Sequence, residues 1–180
     1  MRVIGLAGWS GAGKTTLLAK LIPELTGRGL SVSTLKHAHH AFDIDQPGKD
    51  SHTHRQAGAT EVLIASSRRY ALIHELRAEA EPPLPDLLWR LAPVDLVIVE
   101  GFKRSGHAKI EVHRAANGRP YLFPELPGIV ALATDADLPD DLPVPAMHLD
   151  DVSGIAEAAL AHALPLSDTL ARLADPVRPA

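Results

Sequence analysis

Apolar positions in this chain fall into short continuous runs separated by helically spaced stripes. Arg2 to Ala7 is an apolar run ended by glycine, and from Lys14 onward Leu17, Leu18, Leu21, Ile22 and Leu25 recur at helical spacing. The opening therefore predicts strand, loop and helix. Pro23 is expected to kink or shorten that helix, because it lacks an N–H and crowds the carbonyl one turn back, and Gly27-Arg28-Gly29 supplies a stop. Leu30 to Leu35 reads as the second strand. Lys36 to Ser51 is polar and without a sustained period, which predicts a long functional loop or switch, followed by a short helix over Asp50 to Ala57.

Glu61 to Ala65 and Tyr70 to Ile73, separated by Ser66-Ser67-Arg68-Arg69, predict a hairpin or an edge pair. Leu84 to Leu91 reads as a helix after a proline-rich stretch. Val94 to Val99 is a continuous apolar run of the kind buried on both faces of a sheet. Lys109 to His113 alternates weakly and is grouped with the short edge pieces, Ile129 to Ala133 reads as a second buried strand, and Val152 to Leu164 as a closing helix. The expected fold is α/β: a mostly parallel central sheet with helices on both faces and an added short antiparallel segment. With no repeat or linker visible, the expectation is a single domain over 1–164 and a flexible tail over 165–180.

Composition narrows the chemistry. The chain has 180 residues, 46% hydrophobic and 22% charged, as expected of a globular domain. Its apolar runs are far shorter than the ~20 residues that span a bilayer, and Met1 leads directly into a strand-like segment, so a cytoplasmic protein is expected. The absence of cysteine excludes disulfides and thiolate ligands, leaving oxygen and imidazole to hold any metal. A formal charge of −4 argues against bulk nucleic-acid binding.

Gly8-Trp9-Ser10-Gly11-Ala12-Gly13-Lys14-Thr15 fits the phosphate-loop pattern GxxxxGK[ST], and it stands between a strand and a helix as that pattern requires. Backbone N–H groups freed by Gly8, Gly11 and Gly13, with Ser10 and Ala12 between them, turn toward the phosphates, and the helix adds the positive end of its dipole. Lys14 is expected at the β and γ phosphates, the Thr15 hydroxyl on Mg²⁺, and Thr16 near the α-phosphate. Such a site also needs a carboxylate at the carboxyl end of a neighbouring strand. Asp95 lies roughly 16 Å from Glu100 along an extended strand and falls at the wrong end, so Glu100 is the expected metal and catalytic carboxylate. In the following loop, Asp45 is assigned to hold a Mg²⁺-bound water or to orient the attacking water, with Lys36, Lys49 and Arg55 offsetting phosphate charge. His37, His39 and His40, followed by Asp43 and Asp45, are a second metal-capable set whose spacing is not diagnostic.

The segments GWSGAGKTTLL, KHAHHAFDIDQPGKDS followed by RQAGA, VIVEGFK, KIEV and VALATD, in that order, resemble the molybdopterin-guanine dinucleotide biosynthesis protein B (MobB) family. The resemblance runs from Met1 to about Leu164. It implies a GTP-binding protein with Mg²⁺, weak intrinsic GTPase activity and a homodimeric state, acting as an adapter beside the guanylyltransferase that joins GMP to the molybdenum cofactor. It places Gly11, Gly13, Lys14, Thr15 and Thr16 on the phosphates, Glu100 and Gly101 at the Walker B position, and Thr134 and Asp135 at the guanine. The Asn-Lys-x-Asp form of signalling GTPases is absent. A metal-inserting GTPase is the alternative reading, and a small-molecule kinase a third, weakened by the lack of an arginine-rich lid.

Overall fold

The computed structural model describes residues 1–38, 42–137 and 141–174. It divides into two compact units, Met1–His37 with Leu84–Ala180, and Ala38–Pro83, where the sequence reading expects one domain. In chain order the elements are β1 (Arg2–Ala7), α1 (Lys14–Gly27), β2 (Val32–Lys36), α2 (Asp50–Gln56), β3 (Glu61–Ala65) and β4 (Tyr70–His74). They continue with α3 (Leu84–Trp89), β5 (Leu96–Glu100), β6 (Lys109–His113), a 3₁₀ turn at Ala115–Asn117, β7 (Ile129–Thr134), β8 (Ala146–His148), α4 (Val152–His162), β9 (Leu164–Pro165) and α5 (Leu166–Ala174).

The larger unit is a sheet of order β2-β5-β1-β6-β7-β8, all parallel, with β9 added antiparallel against the start of β1. This is the expected mostly parallel α/β fold. Alternation along β1 divides the core: Ile4 and Leu6 join Leu17, Leu21 and Leu25 of α1 and Ile155 and Ala159 of α4, whereas Val3 joins Val97, Val99 and Leu84 and Leu88 of α3. Helices therefore cover both faces. Leu6 lies in register with Glu100, so the phosphate loop and the end of β5 open at one sheet edge.

Three expectations change. Pro23 lies inside α1 without ending it; Leu21 and Leu25, both fully buried, hold the last turn in place, and the helix runs to Gly27. The expected flexible tail is in part structured: Leu164 and Pro165 pair with Val3 and Arg2, and α5 sets Leu166 and Leu173 against the α3 side of the core, with Thr169 fully buried. Leu166, Thr169, Leu170 and Leu173 have the spacing of a buried helical stripe, which Pro165 obscures in the sequence. Lys109–His113 is not an edge piece but an interior strand between β1 and β7, buried at every position. Its Ile110 and Val112 face the α1 side of the core, while Lys109, Glu111 and His113 form a polar stripe on the other face. That stripe is satisfied largely from the main chain: Lys109 donates to Ser105 O and His107 O, and Glu111 accepts from the Leu122 and Phe123 amides at 2.7 and 2.9 Å.

The smaller unit contains α2 and the two-stranded antiparallel sheet of β3 and β4, in the register Leu63 to Leu72, the hairpin expected from two brief runs around Ser66-Ser67-Arg68-Arg69. Its polar centre is Arg55, which donates to Asp43 at 2.7 Å and Glu75 at 2.9 Å. The Arg55 bond holds the Asp43 carboxyl below its ordinary value. Among the described residues, no helix is long and apolar enough to cross a membrane.

Candidate functional site

The phosphate loop joins β1 to α1 through a left-handed turn. Gly8 has φ of 154°, and a Cβ built there lies 2.4 Å from the Val112 carbonyl of β6, so only glycine lets the loop leave the sheet this close to its neighbour. Gly13 caps α1 with no side-chain hydrogen bond, and the first turn of the helix holds no acidic residue. Its amides are thus left without a protein anion, the arrangement that suits a bound phosphate. Ala12 is buried and anchors the loop in the core, while Ser10, Gly11, Thr15 and Thr16 are exposed at its rim.

Lys14 folds back over this loop, its Nζ donating to Gly8 O and Trp9 O at 3.0 Å each. Burial pushes its pKa down, Glu100 opposes that, and Lys103 and Lys36 reinforce it. The Thr15 hydroxyl stands 3.5 Å from Glu100 Oε1, and Lys36 Nζ 3.6 Å from Glu100 Oε2. A threonine hydroxyl and a nearly buried carboxylate converging beside uncapped helix amides are hard oxygen donors, so the residues present fit Mg²⁺. Asp95 sits at the opposite end of β5, accepting from the Ser31 amide and hydroxyl at 2.8 and 2.6 Å, as the length of the strand predicts.

Gly101, at φ of 102°, carries the chain past His37, whose Cβ lies 2.6 Å from where a Gly101 Cβ would stand. The His37 amide donates to Glu100 O at 2.8 Å and its ring stacks on Phe102 at 4.4 Å, fixing the end of β5. Thr134 is fully buried; its hydroxyl meets His113 Nδ1 at 2.8 Å and accepts from the Ala136 amide, so it shapes the turn that carries Asp135. Asp135 accepts from the Ala115 amide at 2.7 Å and from Arg114 at 3.2 Å.

The larger unit thus brings Lys14, Thr15 and Glu100 together. Asp45 belongs to the smaller unit, where its carboxylate accepts from Ser51 Oγ at 2.7 Å and faces Arg55 Nε at 3.5 Å. Lys49 there is the N-cap residue of α2. His39 and His40 lie outside the described residues, as does any metal set that would include them.

Sequence reasoning missed the segment that follows β6. Asn117 donates to Ser10 O at 3.2 Å beside Gly11, and Arg114 Nη2 lies 3.1 Å from a Cβ built on Gly13. Their signal was positional: Arg114-Ala115-Ala116-Asn117 leaves the carboxyl end of the strand next to β1, the same edge as the phosphate loop. Trp9 is a packing residue, donating to Pro120 O at 2.9 Å and lying against the Leu122 cluster, with Lys103 Nζ 4.7 Å from its ring centre.

Comparison with known proteins gives the family. Residues 3–135 match the family model described as molybdopterin guanine dinucleotide synthesis protein B. The chain is 42% identical over 158 residues to the molybdopterin-guanine dinucleotide biosynthesis adapter protein of Escherichia coli, covering 86% of this chain and 89% of that one. It is 41% identical to the Haemophilus influenzae protein of the same description, over 77% and 78% of the two chains. The crystal structure of Bacillus subtilis MobB shares the fold at a TM-score of 0.72 and 20% identity, over 91% of this chain and 98% of that one. Together with the resemblance carried by the phosphate loop, VIVEGFK and VALATD, these matches show that the chain belongs to the MobB family, molybdopterin guanine dinucleotide synthesis protein B.

Proposed function

We propose that this chain binds Mg²⁺–GTP on Gly8 to Thr16 and serves as an adapter in molybdopterin-guanine dinucleotide biosynthesis, working beside the guanylyltransferase of that route in the cytoplasm. The observation that carries the reading is the convergence of Lys14, Thr15 and Glu100 on the uncapped start of α1. Lys14 and the loop amides hold the phosphates, Thr15 and Glu100 hold the metal, and Gly101 fixes the carboxylate in place. Slow hydrolysis follows from Glu100 ordering an attacking water. The adapter role rests on the relatives' description and on the family.

Guanine selectivity is assigned to Asp135, at the end of β7 on the same sheet edge. Its carboxylate is held by Ala115 N–H and Arg114, which fixes its position, while each oxygen keeps a further lone pair for the base. Asp135→Asn is expected to erode the preference for GTP over xanthosine triphosphate by about tenfold or more, because an amide donates to the xanthine oxygen that a carboxylate repels. Competition binding checks this, and an unchanged preference places base recognition elsewhere.

A homodimer is part of the same reading. One face of the β3–β4 hairpin carries Leu63 at 64%, Leu72 at 53% and Tyr70 at 74% exposure, an apolar surface that a second copy would cover by a symmetric contact. Sedimentation equilibrium is expected to give twice the 19.2 kDa chain mass across the micromolar range. A single species at the chain mass would rule the dimer out, and Leu63→Lys is expected to shift the equilibrium toward monomer.

A further inference from the structure

A small cleft beside Gly13 is lined by Thr16, Lys20, Arg114, Leu149 and Asp150, with Lys20 paired to Asp150 at 3.3 Å. Thr16, in its wall, is the residue that the loop pattern sets near the α-phosphate. Arg114 enters the cleft from the end of β6. Its Nη1 donates to Asp135 at 3.2 Å, whereas Nη2 and Nε lie 3.1 and 3.5 Å from the Cβ position of Gly13 and make no hydrogen bond among the described residues. A guanidinium has its donors in a rigid fork, so engaging one arm with Asp135 aims the other at the loop. Asn117, through Ser10 O, and Asp135, through the Ala115 amide, hold the 3₁₀ turn that carries Arg114 against the loop.

We propose that Arg114 is a nucleotide-binding residue whose free arm contacts the α-phosphate while its other arm holds the base-reading carboxylate of Asp135. The inference rests on the nucleotide reading above and deepens it. It divides the site by charge: Lys14 serves the β and γ phosphates, and Arg114 the phosphate that every guanine nucleotide possesses. Arg114 therefore supports GTP, GDP and GMP alike and does not contribute to discrimination among them. Gly13 itself is favoured by its φ of 93°, a backbone conformation that other residues rarely adopt.

The test is competition binding of GTP, GDP, GMP and guanosine to the wild type, Arg114→Ala, Arg114→Lys and Lys14→Ala, with thermal melting of each as a control for folding. Arg114→Ala is expected to weaken GTP, GDP and GMP by a common factor of about tenfold to a hundredfold, the range for one lost charge-assisted hydrogen bond, and to weaken guanosine much less, because the Ala115 amide still holds Asp135. Arg114→Lys should retain part of the affinity, and Lys14→Ala should weaken GTP and GDP but spare GMP. Unchanged GMP binding by Arg114→Ala overturns the inference, as does an equal loss for guanosine, which would put the side chain on the base. If the wild type binds the series and Lys14→Ala loses GTP while Arg114→Ala behaves as wild type, this inference alone fails; if the wild type binds none of the series, the nucleotide reading fails with it.

Discussion

Replacing Lys14 with alanine is expected to weaken Mg²⁺–GTP binding by about 2–4 kcal/mol, thirtyfold to nearly a thousandfold, without loss of the fold. The side chain makes two hydrogen bonds, both to carbonyls of its own loop, so its removal opens no cavity in the core and strands no buried carboxylate. What is lost is a cation already half desolvated beside the phosphate path. Burial pushes its pKa down, and the approach of a polyanion reverses that, so part of the desolvation is already met in the free protein. Titration calorimetry gives the affinity and thermal melting the stability; an unchanged affinity would remove the phosphate-loop assignment.

The second large effect is on stability in acid. His107 is fully buried against Gly5 and the neighbouring Lys109, and neither ring nitrogen has a hydrogen-bond partner among the described residues. Burial, with the Lys109 charge adding to it, pushes the His107 pKa from 6.5 to about 3. The unfolded chain therefore takes up a proton on this histidine as pH falls below 6.5, and the folded chain does not until near pH 3. Stability should fall across that window by up to about 5 kcal/mol from this group alone. His107→Leu is expected to flatten the acid limb of thermal unfolding measured against pH. Equal slopes in the two proteins would mean that the imidazole protonates in the folded state. Lys109, whose pKa burial lowers to about 8, acts at the other end: stability should rise as pH increases from 8 toward 10.5, where the unfolded lysine still holds the proton that the folded one releases.

These two residues also show where the sequence was legible. The turn from β1 into α1 could be read because its glycines are adjacent in sequence and stand between an apolar run and a helical stripe. Glu100 could be read because a strand has a direction and a length, which excluded Asp95. β3 and β4 could be read from two brief apolar runs and the polar turn between them. The polar stripe of β6 could not. Alternation says that Lys109, Glu111 and His113 share a face, but not that a loop some ten residues downstream roofs that face and supplies the Leu122 and Phe123 amides to Glu111. Sequence patterns report which side chains lie together, whereas burial of a charged face depends on distant main chain. Arg114 and Asn117 escaped for a related reason: their role comes from the position of β6 beside β1, a pairing of segments about a hundred residues apart. The structure of 164–174 escaped because a two-residue strand and a short helix carry too little periodic signal next to Pro165.

The central claim is that this edge of the sheet holds a guanine nucleotide with Mg²⁺, and its most direct test is calorimetric titration of the full chain with GTP and with ATP, each with Mg²⁺ and with the metal chelated. The account predicts that GTP binds at least about tenfold more tightly than ATP and that chelation weakens GTP binding, since Thr15 and Glu100 then lose the ion that links them to the phosphates. Equal affinity for the two nucleotides, or GTP binding indifferent to Mg²⁺, would contradict it.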